Sequence, residues 1–403
     1  MFYLFLHLLE VVVLRVLPRK IVVFGGGGGI NPIIHGLKHL YDVTATVSVF
    51  DDGGSTGRLR NHSGIAVGDL RNALTAMARG DENKTVVDVL NHRFNTDTGV
   101  FFSSTRDVVE VAIKEMNYDD YNRRRVVEEL EARFDRCGVG FDDPMNIPVT
   151  TKGHPVGNLI LCYLIMKLKE GWIEAANRIF GSYGRVLPIT TESCSLVAYF
   201  DGYQSVVGES HFDNPVLRLP PIKEIKLSRD VKAYKGVLEA VKEASLIVIA
   251  PGSFYTSIIA SLLPGGIRQE LERKRIVWFA NFFYDLNQTL YRIPKDDGEE
   301  IVLVTPGEQV EILSRYLGKM PDLIIAQDPE RFPKDPDILE RYKGELGLEE
   351  IMPDYTITGI AVYQTDLARL DYTQMKRGPG YVFRHDPEKV GKSFSDVIAK
   401  YNL

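Results

Sequence analysis

Five consecutive glycines, Gly25 to Gly29, stand between a short β-branched run and a helical pattern. Few folds have a use for them. Each glycine loses more conformational freedom on folding than any other residue, so five in a row are too costly for an ordinary turn. The run before them, Ile21-Val22-Val23-Phe24, reads as a buried parallel strand. Beyond them Ile33, Ile34, Leu37 and Leu40 recur at helical spacing. A glycine loop so placed lets backbone N–H groups and a helix N-terminus approach an anion closely. Phosphate binding is therefore expected at Gly25, Gly26, Gly27, Gly28 and Gly29, with the amide of Asn31 beside them.

The rest of the chain extends this unit. Val43 to Phe50 reads as a second strand ending at Asp51-Asp52, which completes a right-handed βαβ unit. Residues 51–68 read as a polar loop, with Asp69 capping the helix after it. Residues 84–94 and 106–135 are expected to be helical, and an apolar helix follows His154. Residues 185–209 alternate like an antiparallel pair, and Leu246–Ala250 and Ile276–Ala280 read as further buried strands. The fold class is α/β: a three-layer, Rossmann-like arrangement with a mainly parallel sheet, a helical insertion at about 84–150 and an antiparallel β pair. Three regions follow: an apolar extension (1–19), the nucleotide-binding α/β domain (20–320) and a C-terminal segment packed on it (321–403). The ligand site of such a sheet lies at the carboxyl ends of its strands.

Composition narrows the function classes. A formal charge of −6 over 403 residues, with no basic tract, argues against nucleic acid as partner. Three scattered cysteines make neither a disulfide framework nor a zinc site. The first 18 residues are apolar but broken by His7, Glu10 and Arg15, and their positive charges follow the apolar stretch. That pattern disfavours a signal peptide and a membrane anchor, and a cytoplasmic protein is expected.

Four further segments carry chemistry. Asp51 and Asp52 at a strand end suit a hard cation, Mg²⁺ shared with ligand phosphates, and are also the candidate catalytic groups. Ser55 and Arg58 follow, the arginine able to grip a phosphate in bidentate fashion together with Arg60. Gly53, Ser55 and Gly57 also match G-x-S-x-G, but the preceding carboxylates and the absence of an immediate helix disfavour a hydrolase elbow. Arg71 and Asn72 project from a first helical turn, and His154 and Asn158 stand at the mouth of another helix. Gly252, Ser253 and Thr256 form a second strand-to-helix loop, expected to lie beside the glycines and to hold a diphosphate or a sugar. A dinucleotide fingerprint fails, because the third glycine of G-x-G-x-x-G falls on Ile30 or Asn31. An NAD-type ligand is therefore the third alternative.

Taken in order, GGGGGINPIIHGLK, VFDDGGSTGRLR, GDLRNAL, GHPVGNLIL, VLPITTE…VVGES and PGSFYTSIIASLLPGGI resemble the CofD-like superfamily over about residues 20 to 320. The closer branch is the YvcK family, also called gluconeogenesis factor. The resemblance implies a protein that binds UDP-sugars such as UDP-N-acetylglucosamine and influences carbon metabolism, cell-wall synthesis and cell shape. The better-defined enzyme of the superfamily, 2-phospho-L-lactate transferase of coenzyme F420 biosynthesis, uses Mg²⁺ and tends to be dimeric, so a homodimer is a further expectation. The sequence departs from the family pattern at the loop threonine, replaced by glycine, and at Asn281–Thr289, where NFFYDLNQT stands for the usual N-x-x-T-Q-P-G-E-T run. After Asp52 it follows the YvcK form, which favours a nucleotide-sugar-binding regulator over the transferase.

Overall fold

A computed structural model describes residues 20–80, 83–95, 104–145, 147, 152–214, 216–296, 298–375 and 378–403. The expected N-terminal extension lies outside the described residues. The strands are β1 (Lys20–Gly25), β2 (Asp42–Val47), β3 (Arg185–Pro188), β4 (Leu196–Phe200), β5 (Tyr203–Val207), β6 (Ile222–Leu227), β7 (Leu246–Ile249), β8 (Ile276–Phe279), β9 (Leu290–Lys295), β10 (Gly298–Leu303), β11 (Leu323–Gln327), β12 (Val362–Thr365), β13 (Ala368–Met375) and β14 (Gly378–His385).

Seven of them form one sheet in the order β12-β11-β8-β7-β1-β2-β3, parallel throughout. Residues of β7, β8 and β11 are buried without alternation, as a strand covered on both faces requires. The chain starts at the centre, runs outward through β2 and β3, then returns to lay down β7, β8, β11 and β12 on the other side. Right-handed crossovers carry helices onto both faces, and the C-terminal helix Pro387–Tyr401 shares the face of helix Ile30–Leu37, its Phe394 stacked on Phe279 of β8. Helix Ile30–Leu37 packs between β1 and the C-terminal helix Pro387–Tyr401. Smaller antiparallel units flank the sheet: β5-β4-β6 and the hairpins β9/β10 and β13/β14.

The structure corrects several local expectations. Arg185–Pro188 is not part of the antiparallel pair but pairs parallel with β2 at the edge of the main sheet; the pair is β4 with β5. The helical stretch 106–135 is two helices, Thr105–Glu115 and Asp120–Asp135. Asn117 breaks it in the left-handed conformation, and Asp119 caps the second by accepting from the Asn122 N–H. Residues 54–63, expected as loop, form a helix, Gly54–Ser63. Two strands of the main sheet come from beyond residue 320. No helix among the described residues is long and apolar enough to cross a membrane.

Candidate functional site

Strand order reverses between β1 and β7, which are neighbours. A crevice opens at such a switch point because the loops leaving the two strands turn to opposite faces. Here those loops are the glycine run and Pro251–Ser257. They line one cleft of about 520 Å³ together with Asn281–Leu286, Tyr342 and Phe383–His385. Gly27 has φ +59°, a left-handed conformation that disfavours any side chain. A Cβ on Gly29 would collide with the carbonyl of Pro251, so that glycine is what lets the two loops touch. Gly25 and Gly26 pack against Ala250 and Ser48, and Gly28 faces the Arg384 guanidinium. The buried Asn31 side-chain oxygen has no hydrogen-bond partner.

The second loop is held from below. Asn281 clamps Gly252, accepting from its N–H at 2.9 Å and donating to its carbonyl at 2.8 Å. Gln288, in the stretch that departs from the family pattern, accepts from the N–H groups of Tyr255 and Thr256 and donates to Asp213. Thr256 is buried within the turn; Ser253 and Ser257 face the cleft. The turn itself is a π-helix, Phe254–Ile259.

Beyond the residues that line the cleft, the glycine loop is tied to an acidic cluster. Asp69 lies inside helix Gly68–Met77, whose cap is Val67, so it is not the expected cap residue. Its carboxylate reaches back 2.6 Å to accept the Gly27 N–H and ties the glycine loop to that helix. Burial pushes Asp69 up to about 6, with Asp51 adding to the shift. Asp51 accepts from the Gly53 N–H at 2.8 Å and is also raised by burial, and Asp52 accepts from the Ser210 N–H. Glu209 stands well above the usual carboxylate range because it is buried and faces Asp51, Asp69, Asp213 and Asp52. No group of three or more His, Cys, Asp or Glu among the described residues is arranged to hold a metal ion. Mg²⁺ commonly takes one or two carboxylates and completes its shell with water and phosphate oxygens. Asp51 and Asp52 fit that role, and the surplus of carboxylates beside a phosphate-type loop is the charge pattern a divalent cation relieves.

Ser55, Arg58, His154 and Asn158 form a connected polar network. The helix that starts at Gly54 brings Ser55 against His154, so the reason given above against a hydrolase elbow does not hold. The hydrogen bonds supply a better one. Arg58 has no acceptor atoms, so its Nε donates to His154 Nε2 at 3.2 Å. His154, fully buried and pushed down to about 4, is neutral and must carry its proton on Nδ1. It therefore donates to Ser55 Oγ at 2.8 Å and cannot take a proton from it. Asn158 donates to the same oxygen and accepts from Arg71. Arg71 also bonds Asn72 and Asn91. Ser55 is left with its own O–H to offer. Arg60 is spent on the carbonyls of Phe50 and Cys194 rather than directed at a ligand.

The cleft itself has an aromatic wall, which was not foreseen. His385 stacks on Phe282 at 3.9 Å and 19°, and Phe283, Phe332, Tyr342 and Phe383 pack around them. Burial pushes His385 down to about 3; it donates to the Ala280 carbonyl, and its Nε2 has no partner. Asp285, raised to about 7 by burial and by Asp213, closes this side. The signal in the sequence was the Phe-Phe-Tyr-Asp run after β8. Its partners lie about fifty to a hundred residues away and carry no shared motif.

Comparison with known proteins gives the family. The family model described as 2-phospho-L-lactate transferase CofD matches residues 21–365. The chain is 27% identical over 388 residues to the gluconeogenesis factor of Bacillus subtilis, covering 94% of this chain and 98% of that one. It is 27% identical over 361 residues to the gluconeogenesis factor of Listeria monocytogenes, covering 84% and 89%. A crystal structure of a Bacillus halodurans protein superposes with a TM-score of 0.66 at 24% identity, over 93% of this chain and 99% of that one, which is a likeness of fold. With most of its length matched by the family model and the strand-end loops in place, the chain belongs to the CofD family.

Proposed function

We propose that the protein is a cytoplasmic nucleotide-sugar-binding regulator of carbon metabolism and cell-wall synthesis, its ligand a UDP-sugar of the UDP-N-acetylglucosamine kind. The single observation that carries the reading is the cleft at the β1/β7 switch point. It offers a glycine loop for a diphosphate, an aromatic wall for a flat ring, and the hydroxyls of Ser253 and Ser257, the amide of Asn281 and the guanidinium of Arg384. The diphosphate would lie over Gly27–Gly29, with Arg384 facing Gly28. Mg²⁺, where present, would be held by Asp51 and Asp52 and would screen the phosphates from the carboxylates around them. The relatives named gluconeogenesis factor support the metabolic role.

The acidic cluster favours a second reading, a Mg²⁺-dependent transferase of the 2-phospho-L-lactate kind, because carboxylates holding a metal against phosphates also serve transfer. Calorimetry with UDP-N-acetylglucosamine, UDP, GDP and NAD, with and without Mg²⁺, tests the first reading: saturable binding of the uridine ligands is expected. Product formed from a nucleotide-linked phospholactate and a deazaflavin acceptor, and lost in Asp51→Asn, would replace the regulator by the transferase.

A further inference from the structure

Far from the cleft, at the entry to β3, a hollow of about 770 Å³ is lined by Arg79, Arg125, Arg133, Arg136 and Arg178. Among the described residues its only carboxylate is Glu129. Asp81 and Glu82, adjacent in sequence to Arg79, lie outside the described residues. Such a concentration is at odds with a chain whose net charge is −6. Arginine keeps its charge at any physiological pH; Arg133 and Arg136 share Glu129, while Arg79 and Arg178 make no ion pair among the described residues, a surplus of positive charge that an anion would relieve.

The floor of the hollow is built rather than incidental. Arg133 is buried, with only 8% of its surface exposed, and is fixed three ways: to Glu129 at 2.8 Å, to the Ile179 carbonyl at 2.8 Å and to Asn83 at 2.6 Å. Gly181, at φ +69°, comes so close that a Cβ there would stand 2.9 Å from the Arg133 guanidinium. Ser182 contributes a buried hydroxyl with no hydrogen-bond partner. The rim is exposed: Arg79 lies over the Tyr183 ring, Arg178 faces solvent, and Arg136 stands 3.9 Å from Glu129. Lys84 lines an adjoining hollow that shares Arg79 and carries the positive field outward. Arg133, committed to its three partners, fixes the floor and supplies charge, the Ser182 hydroxyl lies beside it, and the exposed rim arginines are the groups able to grip phosphate oxygens in bidentate pairs.

We propose that this hollow is a second ligand site, separate from the cleft, for a small metabolite carrying two or more phosphate groups. The concave shape and the volume fit a compact polyanion, whereas an extended nucleic acid would call for a long basic groove. A second copy of the chain is disfavoured as occupant, because an isologous contact would set arginines against arginines. The separation from the cleft is also structural. Helix Gly68–Met77 begins at Asp69 beside the glycine loop and ends just before Arg79, so its ten residues put about 15 Å between the two sites.

The test uses inorganic tripolyphosphate and a hexose bisphosphate as probes, titrated by calorimetry at two salt concentrations. The protein is the full chain carrying Gly27→Val, so that the cleft does not contribute. Saturable binding is expected, weakening with salt as charge pairs require. Arg136→Glu with Arg178→Glu, both exposed positions that leave the fold intact, should weaken it at least about tenfold and leave UDP-sugar binding in the otherwise unaltered chain unchanged. The proposal is overturned by an absence of saturable binding to the Gly27→Val protein. Binding indifferent to the two arginine changes, or a short RNA bound more tightly than either phosphorylated probe, overturns it equally. Failure of UDP-sugars to bind the wild-type cleft would overturn the preceding section and leave this site standing.

Discussion

The polar wall behind the glycine loop and the aromatic wall of the cleft are made on different principles. The polar wall comes from short segments in the first 160 residues, each a few positions long and each at the mouth of a helix: Asp51–Arg58, Asp69–Asn72 and His154–Asn158. The aromatic wall is assembled from Phe282, Phe283, Phe332, Tyr342, Phe383 and His385, drawn from three distant parts of the second half. Backbone geometry and hydrogen bonds need particular residues at fixed local offsets. A hydrophobic face needs only area, which any element passing nearby can supply. On the proposed reading the polar wall specifies phosphate chemistry, and the aromatic wall sets which ring is accepted beside it.

The largest expected effect breaks the floor that both walls share. Gly29→Val drives a side chain into the Pro251 backbone, which cannot yield as a flexible side chain would. Overpacking against main chain costs about 3 kcal/mol or more, so a melting temperature lowered by many degrees, or loss of soluble protein, is expected. Gly27→Val meets only Ser257 Oγ at 3.3 Å and costs the left-handed penalty of about 1–2 kcal/mol. It should stay folded and lose ligand affinity. Equal losses of stability in the two variants would show that the glycines do not divide into a packing and a binding role.

Phe282→Ala should come next. It removes the stack on His385 and edge contacts with Phe283 and Phe332, at a cost of about 3–4 kcal/mol in a thermal melt. The comparison predicts a selective functional loss, with UDP binding weakened more than pyrophosphate binding. Equal weakening of both ligands would mean that the aromatic wall supports the loop rather than selecting a ring. The complementary change, Asp51→Asn with Asp52→Asn, should reverse the pattern: the Mg²⁺ dependence of pyrophosphate binding is lost while the metal-free affinity is kept or improved. Calorimetry with and without Mg²⁺ reads the difference.

How much of this was legible follows the same division. The strands β1, β2, β7 and β8 are contiguous apolar runs, and the glycine loop stands at the end of the first, so the parallel sheet and its strand-end site could be read directly. Helix Gly54–Ser63 could not: Leu59 is its single apolar side chain, and glycine, serine and arginine give no helical period. Arg185–Pro188 was read as strand but with the wrong partner, since four residues at a sheet edge carry no mark of parallel or antiparallel pairing. Asp69 at a helix start looks like any cap. Only the approach of the glycine loop from 42 residues away shows that its carboxylate faces outward to Gly27.

Asp69 also yields the finest test, through protons. Its folded value is raised from the ordinary 3.8 to about 6, so between those pH values the folded chain holds a proton that the unfolded chain has released. Stability contributed by that proton is present near pH 4 and is lost as pH rises through about 6; two pH units correspond to about 2–3 kcal/mol at most. Asp69→Asn keeps an oxygen for the Gly27 N–H and removes the titration. The stability difference between variant and wild type should therefore shift in the variant's favour from pH 4 to pH 7, read by urea denaturation at each pH. Ligand binding carries the same signature with a sign that depends on the metal. Without Mg²⁺ the Asp69 carboxylate repels an arriving phosphate, so pyrophosphate affinity of the wild type should rise as pH falls through 6. With Mg²⁺ the neighbouring carboxylates must be ionised to hold the cation, so the dependence should flatten or reverse. Metal-free affinity that stays level across that window in the wild type would place the phosphates away from Asp69, and would move the ligand from the glycine loop towards the aromatic wall.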